Sequence, residues 1–417
     1  LAQSLEALSL YYSWHGRFHE WLALAQSMVA KIETAVAPNA APNIIKFAVR
    51  LLTWHSIFAR STTNFDAAKK SLNQAKAIID DPAYAEMDLQ SEKAFWSLEM
   101  SSIVSIRTFS SDTLSFNEQS LALYRSIGDD WGAAQALDML GIRHQGLGNH
   151  HYAVELQQEC LQINEQLRDP RGIAKAYSSL GHYVLFTGKL GESERYLRRS
   201  LALFRELNMR AGLRYPLHIM GINQMFSGKF QASIDFSEAC WAIHRELGIP
   251  DAPGSVSVGI VRSHINLGHY DKAQRLAETD LRHYRALNHR WYVAFTLFNL
   301  GRIALVTEDS SQAVPHLQES VTTLREMKDG TLLPEVLFCL AIAQRYQNDN
   351  TAAKQAIVEG LRIATKRLPL SPMRFELIAM ALLALDAGDI KQAIELNAAS
   401  QQSRYIANSA WFDPIIR

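Results

Sequence analysis

Apolar side chains fall at helical spacing from one end of the chain to the other. Leu137, Leu140, Gly141 and His144 stand at i, i+3, i+4 and i+7, which is one face of an α-helix. A second amphipathic stretch follows: in GESERYLRRSLALFREL the stripe is Tyr196, Leu197, Leu201 and Phe204. Strand-type alternation over four or more residues is missing, so the pattern predicts helices taken in pairs and no sheet.

The pairs recur. Steps of 40 residues from Gly141 land on Gly181, Gly221, Val261, Gly301, Ala341 and Ala381. The same step from Gly148 gives Gly188, Gly228, Gly268, Glu308, Asn348 and Gly388, and from Ala153 it gives Ser193, Ser233, Ala273, Ala313, Ala353 and Ala393. A fixed period over seven units predicts a stack of helical hairpins, each packed on its neighbours. Gly141 is expected where the two helices of a hairpin cross, with Ala153 as the facing surface. Gly148 is expected in the left-handed position that closes the first helix, where the missing Cβ avoids about 1 kcal/mol. Asp169-Pro170 reads as an N-cap followed by proline at the first helical position, and GDDWG around Asp130 reads similarly. Pro216 and Pro315 fall inside predicted helices, so a kink or a late start is expected at each. With no linker-like segment, the expectation is one domain over 1–417: irregular repeats at 1–128, regular ones at 129–404, and a terminal capping segment at 405–417.

Composition narrows the function. The 417 residues are 48% hydrophobic, with 42 basic and 42 acidic side chains, so the chain can bury a large core and offers no electrostatic footprint for nucleic acid or an anionic membrane. The longest apolar run, around Leu377–Leu385, is too short to span a bilayer. Three cysteines far apart, Cys160, Cys240 and Cys339, suggest a reducing cytoplasm rather than a disulfide framework. The start at Leu1, already in a helical pattern, fits a piece of a longer polypeptide.

Candidate chemistry reads as architecture. FTGKLGES has Leu190 after the lysine where a phosphate loop requires Ser or Thr, and no strand precedes it; FSGKF repeats the same turn one unit later. The fourteen histidines form no ligand cluster; His144 and His264 are expected to satisfy a neighbouring carbonyl. Cys160 and Cys240 share a repeat position with Ser120, Ser200 and Ser320, which marks them as small packing residues and not nucleophiles. No catalytic constellation, metal site or cofactor site is predicted, and the chain is expected not to be an enzyme.

LDMLGIRHQGLGNHHYA and SSLGHYVLFTGKLGES resemble the tetratricopeptide repeat, in which a large residue, Leu-Gly, Tyr and a later Ala mark a helix pair. The resemblance implies an all-α fold: an α-solenoid, wound as a right-handed superhelix, of about ten hairpins. The period of 40 exceeds the family's usual value of about 34, which is expected to lengthen the helices and the link between hairpins. His144, Val184, Gln224 and His264 stand where the family usually has tyrosine.

In that family the face of each first helix that does not point into its hairpin partner lines the inner, concave wall. The matching positions here include His182, Phe186, Tyr215, His218, Phe226, Arg262, Phe295, Phe298 and Arg302, an aromatic and arginine composition suited to a binding patch. Curvature of the solenoid would instead bury them against neighbouring hairpins. Arg262 and Arg302, one period apart, can grip a carboxylate or phosphate.

LALYRSIGDDWGAAQALDMLG, LALFRELNMRAGL and the tail ANSAWFDPIIR resemble the tetratricopeptide arrays of bacterial signal-transduction ATPases with numerous domains, the STAND class. That resemblance implies a sensor that binds a protein, peptide or small inducer, with the ATPase module in the same full-length chain and no direct contact with nucleic acid or membrane. The alternative is a stand-alone scaffold or co-chaperone that binds peptide tails.

Overall fold

A computed structural model describes all residues except 1, 38–39, 106–110, 248–254, 308–309, 366–374 and 413–417. Glu308 of the Gly148 series and the last five residues of the tail therefore lie outside the described residues. Every regular element among the described residues is helical. The helices are α1 (Ala2–Trp14), α2 (Phe18–Ala35), α3 (Pro42–Ser61), α4 (Phe65–Ile79), α5 (Gln90–Ser105), α6 (Ser111–Ser126), α7 (Asp130–Gly146) and α8 (His150–Gln166). They continue with α9 (Pro170–Phe186), α10 (Leu190–Glu206), α11 (Arg214–Phe226), α12 (Phe230–Glu246), α13 (Ser255–Asn266), α14 (Tyr270–Ala286) and α15 (Arg290–Val306). The last are α16 (Ala313–Glu326), α17 (Leu333–Tyr346), α18 (Asn350–Ala364), α19 (Phe375–Asp386), α20 (Ile390–Ser400) and the short α21 (Arg404–Ala407). The first twenty pair into helical hairpins, and the fold is an α-solenoid.

Two compact units divide the chain. The first comprises Leu1–Val184, Arg195–Pro216 and Glu246–Ile249; the second comprises Leu185–Glu194, Leu217–Arg245 and Pro250–Arg417.

The 40-residue period has a simple composition. Helices α7, α8, α9 and α10 are each 17 residues long, separated by three-residue turns. In this stretch the link between hairpins is as short as the link within one, and the residues beyond the family's usual period lie in the helices; elsewhere the links are longer, as between Glu326 and Leu333. Each turn contains one left-handed residue, Gly148 at φ +84° among them, so the glycine is where a residue without Cβ relieves strain. Outside the glycine positions the same geometry falls to residues such as Asn208, Asn288 and Asn348.

Local chemistry starts the helices as expected. Asp129 caps α7 by accepting from the Gly132 N–H at 2.8 Å, and Asp169 accepts from the Arg171 N–H at 3.0 Å just before Pro170 opens α9. Pro216 and Pro315 produce late starts: a 3-10 turn at Arg210–Leu213 precedes α11, and another at Ser310–Gln312 precedes α16. Each proline then lies in the first turn, where no N–H is needed.

Packing follows the stripe. In the first unit Leu197, Leu201 and Phe204 of α10 are buried, each contributing about 1.5–3 kcal/mol relative to exposure. A Cβ on Gly301 would lie 2.5 Å from Leu317 Cγ on the partner helix. At Gly141 a Cβ would meet Tyr183 of the next first helix at 3.1 Å and Gln157 of its own hairpin at 3.3 Å. The small residue shared by the cysteine and serine positions ties second helix to first: Ser120, Ser200 and Ser320 donate to the carbonyls of Ala94, Ala174 and Ala294 at 2.9, 2.7 and 2.7 Å. Cys160 makes the same contact with Ala134 at 3.3 Å, and burial pushes its thiol up to about 12, as it does Cys339. Such thiols are not nucleophiles at neutral pH.

Candidate functional site

The nine candidate positions fall into two sets, one in each unit. His182 and Tyr215 belong to the first; Phe186, His218, Phe226, Arg262, Phe295, Phe298 and Arg302 belong to the second.

In the first unit the Tyr215 hydroxyl and His182 Nδ1 are 2.6 Å apart, with Tyr215 still 40% exposed. Nearby charges are matched: Lys175 pairs with Asp138 at 2.9 Å, which also accepts from the Ser179 hydroxyl at 3.1 Å. Arg60 makes a two-pronged pair with Glu99 at 3.0 and 2.9 Å. Arg143 is buried, its Nε has no partner among the described residues, and burial together with the Arg60 charge lowers its pKa.

In the second unit Phe226, Phe295, Phe298, Arg262 and Arg302 are buried, so they do not form an open patch; Phe186 and His218 are half-buried. Arg262 pairs with Glu335 at 2.8 Å and lies 5.5 Å from the centre of the Phe295 ring. Burial pushes Glu335 upward against the pull of Arg262 and Arg302. Arg302 is 0% exposed, yet its Nε and Nη1 have no hydrogen-bond partner among the described residues, and Nη2 reaches only Asn266 Oδ1 at 3.4 Å. Two buried guanidinium groups therefore stand near one carboxylate, with which only Arg262 pairs.

What covers this face is the chain's own end. Rather than capping the last hairpin alone, Tyr405 to Phe412 lie across the turns of α11–α12 and α13–α14 and against α15. Asn408 Nδ2 donates to the Gly228 carbonyl at 3.2 Å, and the Ala410 N–H donates to the Asn266 carbonyl at 2.8 Å. Trp411 Nε1 donates to the Arg302 carbonyl at 2.7 Å, and the Arg302 guanidinium stands 4.3 Å from the Trp411 ring. Asn266 is the hub: Nδ2 donates to the Tyr405 hydroxyl at 3.0 Å, and Oδ1 accepts from the Ser409 hydroxyl at 2.6 Å. Asn266, Glu335, Tyr405 and Trp411 were not among the candidate positions; only the adjacency of Asn266 to Arg262 and the aromatic ending of the tail hinted at them.

The family's tyrosine position holds a surprise. His264 meets the ring of His269, Nδ1 to Nδ1 at 3.3 Å, and His144 meets the Asn149 amide at 3.3 Å, so neither satisfies a carbonyl in these contacts. Burial, with Lys272 and His269, pushes His264 down to about 4, and burial with His244 does the same to His218. Among the described residues no group of three or more His, Cys, Asp and Glu could hold a metal ion, and no helix is long and apolar enough to cross a membrane.

A tetratricopeptide repeat is matched over residues 133–170, which span the α7–α8 hairpin. With its repeated hairpins, the chain is a helical solenoid of the tetratricopeptide type. It is similar in fold to a Rap protein complexed with competence and sporulation factor: TM-score 0.66, 12% identity, covering 88% of this chain and 99% of that one. A second similar structure is the Rap conjugation gene regulator of plasmid pLS20 with the Phr* peptide, at TM-score 0.56 and 13% identity over 87% and 99% of the two chains. A third is a STAND protein with a tetratricopeptide repeat sensor from Pyrococcus horikoshii: TM-score 0.50, 12% identity, covering 83% of this chain but 53% of that longer one. At these identities the likeness is one of fold. No curated protein matches the chain in sequence.

Proposed function

We propose that the chain is a non-catalytic sensor: the first-helix face of its second unit binds a peptide or small inducer, and the array serves a STAND-type signalling ATPase or transcription regulator in the cytoplasm. The single observation that carries this reading is Arg302, a buried guanidinium among aromatic rings with no carboxylate at hydrogen-bond distance among the described residues. Burying a cation unpaired is unfavourable by several kcal/mol, so a ligand that supplies the anion gains much of that back. Support also comes from the fold shared with the Rap and STAND structures, two of which were solved with a bound factor or peptide and the third of which contains a repeat sensor. A ligand touching several hairpins shifts the solenoid only through its differential affinity for two shapes.

The test is a melting screen of peptides, sugars, nucleotides and small anions, followed by calorimetry on wild type and Arg302→Met. A ligand at a hundredfold excess over its dissociation constant stabilises by about 2.7 kcal/mol. Arg302→Met, which keeps shape and removes charge, is expected to weaken the hit at least tenfold. No hit, or equal binding by the variant, would end this reading.

A further inference from the structure

Residues Arg404–Phe412 are not part of any hairpin, yet Tyr405, Trp411 and Phe412 are as buried as any side chain in the second unit. Their hydrogen bonds go largely to main-chain carbonyls of other elements, those of Gly228, Asn266 and Arg302, which is how a groove holds a peptide. The seat is also shaped for backbone: a Cβ on Gly228 would lie 2.3 Å from the Arg404 carbonyl oxygen. Only glycine admits the segment there. The seat is nonetheless one anion short among the described residues, since Arg262 takes Glu335 and Arg302 has the Trp411 and Phe298 rings and a long contact to Asn266. The Ser409 hydroxyl approaches that same Asn266 oxygen, which makes position 409 the place from which a side chain reaches Arg302.

We propose that Arg404–Phe412 is a tethered ligand on the second unit, and that the partner which displaces it is a peptide segment with an adjacent aromatic pair and an acidic side chain at the place of Ser409. This rests on reading the first-helix face as the partner surface. The tail competes because it is always present at high local concentration; the partner prevails because its carboxylate meets Arg302, and Arg404–Phe412 has no acidic side chain to do so.

The experiment uses the full chain and a fluorescein-labelled peptide RYIANSAWF, read by anisotropy. Wild type is expected to bind it at least tenfold more weakly than Trp411→Ala, whose own tail cannot hold the seat; equal binding overturns the proposal. Should Trp411→Ala fail to fold by circular dichroism, Phe412→Ala takes its place. Within the unseated background, Gly228→Ala is expected to abolish binding. Gly188→Ala, which strains the same left-handed turn position at φ +82° with nothing within 4 Å of the new Cβ, is expected to leave it intact. Equal effects of the two glycine changes would remove the seat assignment. The peptide RYIANDAWF is expected to bind at least threefold tighter than RYIANSAWF, and a loss or no gain overturns the acidic partner. A chain that binds its tail peptide this way but responds to nothing in the ligand screen keeps this inference and sinks the sensor reading; a screen hit with no tail exchange does the reverse.

Discussion

In the first unit Arg50, Arg60 and Lys175 each meet a carboxylate, and Arg143 is left over beside Arg60; in the second, Arg262 meets Glu335 and Arg302 is left over. The two surplus guanidinium groups have different surroundings. Arg302 is roofed by Trp411, contributed by a segment more than a hundred residues away in sequence, whereas Arg143 lies near Tyr183 of the next first helix. In the first unit Tyr215, paired with His182, remains accessible. Tyr215 on the first unit's face is thus exposed, whereas Arg302 on the second unit's face is covered by the tail. The non-repeating segment, more than the repeats themselves, makes the second unit distinct.

Acid should separate the units most. His218 and His264, both in the second, have folded-state values near 4, well below the ordinary 6.5. The folded state holds them neutral, so their stability is fully present above pH 6.5 and is lost as pH falls toward 4. At pH 5 each is expected to withdraw about 1–2 kcal/mol. Glu335 runs the other way, because its raised pKa favours the folded state at low pH and loses that advantage as pH rises. His55, His144 and His150 of the first unit are also lowered by burial, but not to that extent. Hydrogen exchange at pH 7.5 and 5 should thus show protection falling first in the second unit; simultaneous loss in both would break the comparison.

Glycines at one repeat position give the next test. Gly301→Ala forces a methyl group against Leu317 and is expected to destabilise the second unit by about 1–3 kcal/mol, while the higher helix propensity of alanine offsets part of it. Gly141→Ala in the first unit meets Tyr183 at a more forgiving 3.1 Å, so its net effect should stay within about 1 kcal/mol. Urea unfolding of both variants checks the ranking, and a larger loss from Gly141→Ala would contradict the packing described for either site. The surplus arginines follow: Arg302→Met and Arg143→Met each remove a buried charge without exposing a carboxylate, so each should be neutral or stabilising by about 1 kcal/mol. Destabilisation above that in urea would mean that the cation is already satisfied.

The repeat was legible because most of the described hairpins solve the same problem: a small residue at the crossing, a left-handed turn, an apolar stripe. The Gly148 series, Asp169-Pro170 and the late starts at Pro216 and Pro315 are all local consequences of backbone geometry, and local pattern reveals them. Burial of Arg262, Phe295, Phe298 and Arg302 stood in the sequence as the alternative to an open patch, but the tail's place over Arg302 was not legible, for the opposite reason. Periodicity identifies which positions share a face but carries no information about a segment that obeys no period, and Tyr405 and Trp411 reach Asn266 and Arg302 across 139 and 109 residues. Nor could spacing show that the link between α8 and α9 is three residues, whereas α16 and α17 are joined by a longer one, since lengthened helices and lengthened links give the same period.

The smallest difference lies in one atom. Ser320 in the second unit and Cys160 in the first hold the same repeat position and donate to the same kind of carbonyl, at 2.7 and 3.3 Å respectively. A hydroxyl is a full donor and a thiol a weak one, so the contact binds second helix to first more firmly at Ser320. Ser320→Ala should therefore lose about 1 kcal/mol, the usual net worth of a buried hydrogen bond. Cys160→Ala should lose less in hydrogen bonding, and Cys160→Ser should be close to neutral: a better donor to Ala134 offsets the loss of sulfur packing. Asn164, whose amide now reaches the sulfur at 3.4 Å, can follow the shorter side chain inward. If Cys160→Ser instead destabilises by as much as Ser320→Ala, the position is governed by volume, and the hydrogen bond to the first helix is a consequence of packing rather than its cause.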